Sequence, residues 1–345
     1  MHVAPLQSIS KARLAEGKSM DRADSKLMTA VAKAFYLEDR SKVEIAREFD
    51  ITRFKVARLL EEARRVGIVR ISIAEVDDQS QSVAASVARR LRLKHVTVVP
   101  TQTLPENWYN ALAAGAATLL TQLAKPGMSI GISWGRTLVR VGLFIENLPQ
   151  VDLVQLTGML GYDPNQSPLK VMSNISSNAG GRSYALMSAL FSSTSSAAAR
   201  LREEPNIKQV LQKYDGLDIA LISVGSWKER ITQLTSYLSE SEIEELDRLG
   251  AVADCAGIFI DAKGNYVQSS LNERRLSVSV DQLRATPAVL AVAGEPEKAS
   301  AIIAIARAGI ATHLVTTREA AYEILYLLDS EDVTEPSANS RVKHG

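Results

Sequence analysis

The segment Ser41–Ile73, SKVEIAREFDITRFKVARLLEEARRVGIVRISI, constrains the fold of this chain more than any other. Ser41 is a favourable helix N-cap, and Glu44 follows three residues later, so side chains and backbone amides can satisfy one another reciprocally. Val43, Ala46 and Phe49, together with Ile45, predict a short helix with one apolar face. Asp50-Ile51 predicts a tight turn. Asp stands where such turns often carry glycine, and it tolerates a left-handed backbone better than most residues. Thr52 then caps a second helix, in which Val56, Leu59, Leu60 and Ala63 recur at helical spacing. Gly67 ends that helix, and Ile68–Ile73 alternates as a short β-wing. The pattern is that of a winged helix-turn-helix, although a plain helical hairpin with charged outer faces would share its periodicity.

The second helix leaves Thr52, Arg53, Lys55 and Arg58 off the apolar stripe, near its N-terminal half. A recognition helix meets base edges and phosphates of double-stranded DNA with that part. The planar fork of Arg53 matches the O6/N7 pair of guanine. Lys55 suits a base or a phosphate, and Arg58, Arg64 and Arg65 suit phosphates or a solvated face. The charge distribution agrees. Residues 1–73 carry 15 Lys and Arg against 10 Asp and Glu, whereas the remainder carries 25 against 29. A positive segment beside a mildly negative one suits binding to nucleic acid through the first.

The chain of 345 residues is long enough for two domains. No apolar run approaches the ~20 residues of a membrane helix, and the N-terminus lacks the apolar core of a secretory signal. The single cysteine, Cys255, permits no internal disulfide and reads as a buried thiol. A cytoplasmic protein is expected. Residues 1–24 read as a disordered extension and 25–74 as the DNA-binding domain, opened by an Ala-rich helix over Ser25–Leu37. Residues 75–93 read as a linker and a connector helix, with Val83, Val87 and Leu91 on one side, that joins the domains or contributes to dimerisation. Residues 94–329 read as the effector domain and 330–345 as a flexible tail.

Within 94–329, short β-rich runs alternate with helical segments. The runs are His95–Val99, Met128–Ile132, Val151–Leu156, Ile219–Val224, Ala256–Ile260, Ala288–Val292 and His313–Val315. Helices are predicted over Asn107–Leu123, Thr137–Glu146, Ser239–Leu249 and Glu297–Ala308. This alternation predicts an α/β fold with a parallel, Rossmann-like sheet.

Ligands of such sheets bind at the carboxyl ends of the strands. Two strand ends stand out. In GISWGRT (Gly131–Thr137), small residues let the backbone approach a ligand, Thr137 opens a helix whose amides favour an anion, and Arg136 adds a charge-assisted bond. Such turns also serve packing alone, and Trp134 either stacks on a ligand or covers a core edge. In GEPEKASAI (Gly294–Ile302), Lys298 falls in the first turn of a helix, where the dipole disfavours a cation. It reads as a phosphate ligand or a solvated lysine. Between them, Asp254 is placed to accept hydroxyl hydrogen bonds from a polyol, and Asp261 precedes a hairpin turn. No clustered His or Cys spacing suggests a metal site, and no cofactor motif is present.

Taken together, these segments resemble the SorC family of bacterial sugar-responsive transcription regulators. The resemblance runs from about Lys26 to Leu328. It rests on IAREFDITRFKVARLLEEARRVGIVRISI, GISWGRTL, LISVGS, GAVADCAGIFIDAKG and AVAGEPEKASAIIAIARAGIATHLVTTREAA. It implies an effector domain folded like sugar-phosphate isomerases but without catalysis, a homo-oligomer (commonly a tetramer) on an operator, and a phosphorylated sugar or polyol as ligand. By position, Ser133, Trp134, Gly135, Arg136, Thr137, Asp254 and Lys298 match the family's effector pocket. The chain departs from the family pattern at Thr316-Thr317, at LMSALFSS, at Ala253, and at Glu295, where glycine is more usual. These departures leave an unphosphorylated polyol open.

The competing reading is a sugar-phosphate isomerase-like enzyme with an accessory domain. Such chemistry needs a positioned acid/base pair. The four histidines, His2, His95, His313 and His344, form no constellation with a nucleophile. Lys298 has no sequence neighbour that would activate it for a Schiff base. A small-molecule binding protein without DNA function is disfavoured by the cap-turn-cap arrangement over Ser41–Thr52.

Overall fold

The computed structural model describes residues 22–38, 40–65, 68–69, 78–100, 105–161 and 167–334. The chain divides into two compact units, Met1–Glu75 and Val76–Gly345.

The first unit contains α1 (Arg22–Tyr36), α2 (Lys42–Glu48) and α3 (Arg53–Arg65). α2 begins as the sequence requires: Ser41 Oγ accepts from the Glu44 amide and the Glu44 carboxylate accepts from the Ser41 amide. The turn between α2 and α3 places Asp50 at φ 49°, the left-handed conformation expected there. Thr52 Oγ1 accepts from the Lys55 amide at 3.2 Å and so caps α3. Ile45, Val56, Leu59, Leu60 and Ala63 are buried together with Met28, Val31, Ala32 and Ala34 of α1. Val43 is not part of this face and is 49% exposed. Two residues along a helix turn a side chain through about 200°, so Val43 lies opposite Ile45. The predicted wing lies outside the described residues except for Ile68 and Val69, which pack on the helices. Gly67 and residues 1–21 also lie outside them.

In the second unit, α4 (Asp78–Leu91) leads into β1 (His95–Val99), α5 (Pro105–Leu123), β2 (Ser129–Ile132), α6 (Leu138–Val141) and β3 (Asp152–Gln155). Next come α7 (Pro168–Ala179), β4 (Ser183–Tyr184), α8 (Ser195–Glu203), α9 (Pro205–Leu211), β5 (Ile219–Ser223) and β6 (Gly225–Ser226). The chain continues through α10 (Glu240–Arg248), β7 (Ala251–Cys255), β8 (Ile258–Asp261) and α11 (Val280–Ala285). It closes with β9 (Ala288–Val292), α12 (Ala299–Arg307), β10 (His313–Thr317) and α13 (Arg318–Thr334).

Seven strands form one parallel sheet in the order β1-β10-β9-β5-β2-β3-β4. Alternate residues of each strand enter cores on opposite faces: Ala220 and Ile222 of β5 face one, Ile219 and Leu221 the other. Strands buried on both faces read as continuous apolar runs, which is why β5 and β9 are legible in sequence. Beyond this sheet, β6, β7 and β8 form a small antiparallel one.

Four expectations need correction. The connector helix, expected over Ser82–Leu93, spans Asp78–Leu91 and buries Val83, Val87 and Leu91 in the core of the second unit. The helix predicted over Thr137–Glu146 is the single turn α6. Its C-cap is Gly142, where a Cβ would stand 2.5 Å from the Asn174 backbone. The strand predicted over Ala256–Ile260 is the second half of a hairpin, β7–β8, whose turn residues Ala256 and Gly257 have φ 50° and 75°. Two positive φ values mark a type I′ turn, and alanine at its first position hides the usual Asn-Gly signal. Finally, Ser330 lies within α13, which runs on to Thr334. Arg90 pairs with Asp329 and Asp332, and Arg307 with Glu331.

Candidate functional sites

In the first unit, Thr52, Arg53, Lys55 and Arg58 are all exposed. Capping fixes the start of α3, and burial of Val56, Leu59 and Leu60 fixes its rotation. The four side chains therefore stay clear of the core, with Arg53 and Lys55 on opposite flanks of the buried stripe. Sequence reasoning passed over Phe54, which is 72% exposed. Its ring lies 5.0 Å from the Arg53 guanidinium. A large apolar side chain in that position costs solubility unless a partner covers it, and an aromatic residue off the apolar stripe, beside a basic one, was the signal available in the sequence.

In the second unit, a cavity of about 530 Å³ opens at the carboxyl ends of β2, β5 and β9. From β2 the chain builds outward through β3 and β4. It then returns to the other side of β2 with β5 and builds through β9 and β10. The cavity therefore sits where the strand order reverses, the place at which open parallel sheets bind ligands. Trp134, Gly135, Arg136, Thr137, Asp254 and Lys298 all line it. Ser133 does not: its side chain is fully buried, its hydroxyl has no partner, and its amide donates to Leu221 O at 3.0 Å.

Gly135 is required by a close approach, since a Cβ would stand 2.8 Å from Ser223 Cβ, whose hydroxyl donates to Trp134 O at 2.7 Å. Trp134 gives the cavity only an edge, because it is 4% exposed and packs with Leu190, Trp227 and Phe259. Arg230 enters from the β6–α10 connection with φ 55° and is anchored to Asp247 at 2.5 Å.

Asp254 is carried by β7 and is 4% exposed, with Oδ1 unpartnered. Burial pushes its carboxyl up to about 6, against the opposing pull of the Thr232 hydrogen bond and the Lys298 charge. The carboxylate lies against backbone: a Cβ on Gly225 would meet Oδ1 at 2.2 Å. Lys298 is not a solvated lysine. It ends the 3-10 turn Pro296–Lys298 with its side chain 11% exposed, and Nζ lies 3.1 Å from Glu295 Oε2. Glu295 also accepts from Arg136 Nη2 at 3.3 Å and from Tyr109 Oη at 3.4 Å. Burial would raise this carboxyl, but the Lys298 charge, hydrogen bonds and Arg136 together hold it below the ordinary glutamate value. Tyr109 and Glu295 were not foreseen as site residues. Among the described residues no group of three or more His, Cys, Asp or Glu side chains is placed to hold a metal.

Comparison with known proteins agrees with this architecture. Residues 75–326 match the family model Sugar-bind, described as "Putative sugar-binding domain". The transcriptional regulator LsrR of Escherichia coli K12 is 30% identical over 304 residues, covering 86% of this chain and 93% of that protein. The sorbitol operon regulator of Klebsiella pneumoniae is 28% identical over 328 residues, covering 88% and 98%. The crystal structure of full-length SorC from K. pneumoniae superposes with a TM-score of 0.71 at 25% identity, covering 88% of this chain and 99% of that one. A transcriptional regulator from Streptococcus pneumoniae TIGR4 shares the fold, with a TM-score of 0.68 over 72% of this chain and 97% of that one, at 22% identity. The match spans most of both chains, and the cavity lies at the strand ends where the motifs place it. The chain belongs to the SorC family of sugar-responsive transcriptional regulators.

Proposed function

We propose that α3 reads an operator in the major groove and that a sugar or polyol bound in the cavity at β2, β5 and β9 sets operator affinity. The observation that carries this reading is the cavity itself: a polar cleft at the reversal of strand order, holding a buried carboxylate with a free acceptor. Arg53 is assigned to a base edge, Thr52 and Lys55 to bases or phosphates, and Arg58 to a phosphate. Ligand hydroxyls donate to Asp254 and pack beside Trp134 and Gly135, with Arg136, Thr137 and Lys298 around them. The working form is a cytoplasmic homo-oligomer, a tetramer by family analogy. Paired α3 helices then address half-sites about 34 Å apart, or a multiple of that distance.

Control is a shift between DNA-competent and DNA-incompetent states. It requires differential affinity of the ligand for the two. A tenfold change in operator affinity corresponds to about 1.4 kcal/mol of coupling. The test is fluorescence anisotropy of duplexes from the promoter next to the gene, with and without sugars and polyols. A ligand that moves operator affinity at least tenfold in the wild type and not in Asp254→Asn supports the reading. Operator binding that no cavity variant and no ligand affects refutes it. Turnover of a bound sugar would instead favour an isomerase-like enzyme.

A further inference from the structure

The cavity presents cations and carboxylates in a specific pairing. Arg136 and Lys298, the two groups placed to hold an anion, both rest on Glu295. Tyr109 donates to the same carboxylate, and the Arg136 guanidinium lies 5.3 Å from the Tyr109 ring. The third cation, Arg230, is anchored on Asp247. The Lys298 and Glu295 side chains are 11% and 15% exposed, so the pair is poorly screened by solvent.

A phosphate dianion arriving at Lys298 and Arg136 must either displace Glu295 or settle beside it. The first course leaves a largely buried carboxylate without its counter-ions. The second sets like charges together in a medium that amplifies their repulsion. The backbone offers little help. α6, expected to direct a row of amides at an anion, is one turn of four residues, and Thr137 makes no capping hydrogen bond. A hydroxylated neutral ligand meets the opposite situation. Asp254 Oδ1 is a buried acceptor with nothing donating to it, and a hydroxyl satisfies it without a change in net charge.

We propose that the cavity takes an uncharged polyhydroxylated ligand, a free sugar or polyol, and that Glu295 sets this preference as a built-in counter-ion to Arg136 and Lys298. The proposal rests on the cavity being the effector site and adds the charge class of the effector.

Inorganic phosphate is a sufficient probe, read as the thermal transition of the full chain against sodium chloride of equal ionic strength. The wild type is expected to show no saturable phosphate effect beyond chloride. Glu295→Gln, which frees both cations, is expected to gain saturable stabilisation with an apparent affinity at least tenfold tighter than any in the wild type. Should that variant fail to fold, Glu295→Gly replaces it, and the wild-type measurement decides alone if neither folds. In parallel, free hexitols, pentitols and hexoses are compared with their phosphate esters by calorimetry, with at least tenfold tighter binding expected for the free form. Saturable stabilisation of the wild type by phosphate, lost in Lys298→Met, overturns the proposal and leaves the site reading intact. Binding of either class that is unchanged in both Asp254→Asn and Lys298→Met places the ligand elsewhere and overturns both.

Discussion

Replacing Asp254 by asparagine should make the ligand-free second unit more stable at neutral pH and less able to bind its ligand. Asp254 carries a folded-state pKa of about 6 against an ordinary 3.8, with burial as the main cause. An acid raised in the folded state binds its proton more tightly there than in the unfolded chain. Stability therefore falls as pH rises from about 4 through about 6, and the penalty is complete above the folded value. A shift of about two units corresponds to ~3 kcal/mol at 1.36 kcal/mol per unit. Asparagine removes the charge but leaves a buried amide donor, which costs ~1 kcal/mol or more. A net gain of ~1–2 kcal/mol at pH 7.5 is expected, shrinking or reversing at pH 4.5.

All three tryptophans, Trp108, Trp134 and Trp227, lie in the second unit. Their fluorescence during urea unfolding therefore reports that unit alone. The reasoning is refuted if Asp254→Asn is no more stable than wild type at pH 7.5, or if both proteins show the same pH slope between 4.5 and 7. Ligand supplies the converse check. A hydroxyl donating to Oδ1 favours the carboxylate, so wild-type affinity should weaken up to tenfold for each pH unit below about 6.

Other perturbations separate the remaining parts. Arg53→Ala should cost ~1–3 kcal/mol and relax discrimination at one base pair, whereas equal weakening on every sequence would assign Arg53 to a phosphate. Phe54→Ala should abolish any preference for thymine over uracil at one operator position, because an apolar side chain reads the thymine methyl; unchanged discrimination between the two bases would remove Phe54 from the interface. Asp50 stands at φ 49°, so Asp50→Val should destabilise the first unit by ~1 kcal/mol or more while Asp50→Gly is tolerated, read by hydrogen exchange of the α2 and α3 amides. Cys255 is 1% exposed and burial pushes its thiol up, so alkylation at pH 8 should proceed only at the rate of unfolding, and fast modification of the native protein would contradict its placement.

Local signals survive in the sequence where the structure uses them locally. The Ser41–Glu44 cap, the Asp50 turn and the Thr52 cap each join residues within four positions of one another, and all three fold as their chemistry dictates. β9 matches its predicted limits, since a strand buried on both faces must be apolar throughout, and β1 matches as a valine-rich strand at the sheet edge. The failures have equally local causes. Ala256 occupies a positive-φ turn position without the residue that advertises one, so the expected strand Ala256–Ile260 begins on the turn itself and β7 before it is missed. α7 carries its own start signal, Ser167 followed by Pro168 at the first helical position, which composition alone does not bring out.

The charge state of the cavity belongs to a different class of property. Arg136 and Lys298 advertise an anion when each is read in its own motif. Their meaning changes because β2 and β9, separated in the sheet only by β5, bring the loop after one against the loop after the other. Arg136 thereby meets a carboxylate 159 residues away. Glu295 looked like a departure from a glycine position. In the folded chain it is the acceptor on which Arg136, Lys298 and Tyr109 converge. A basic residue in a binding motif thus specifies an anionic ligand only when the fold leaves its charge uncompensated. In this protein the compensating charge comes from the chain itself, and the acceptor left open is Asp254. The selective group is then the acid on which both cations rest, and a substitution at position 295 should change ligand class more than one at either cation.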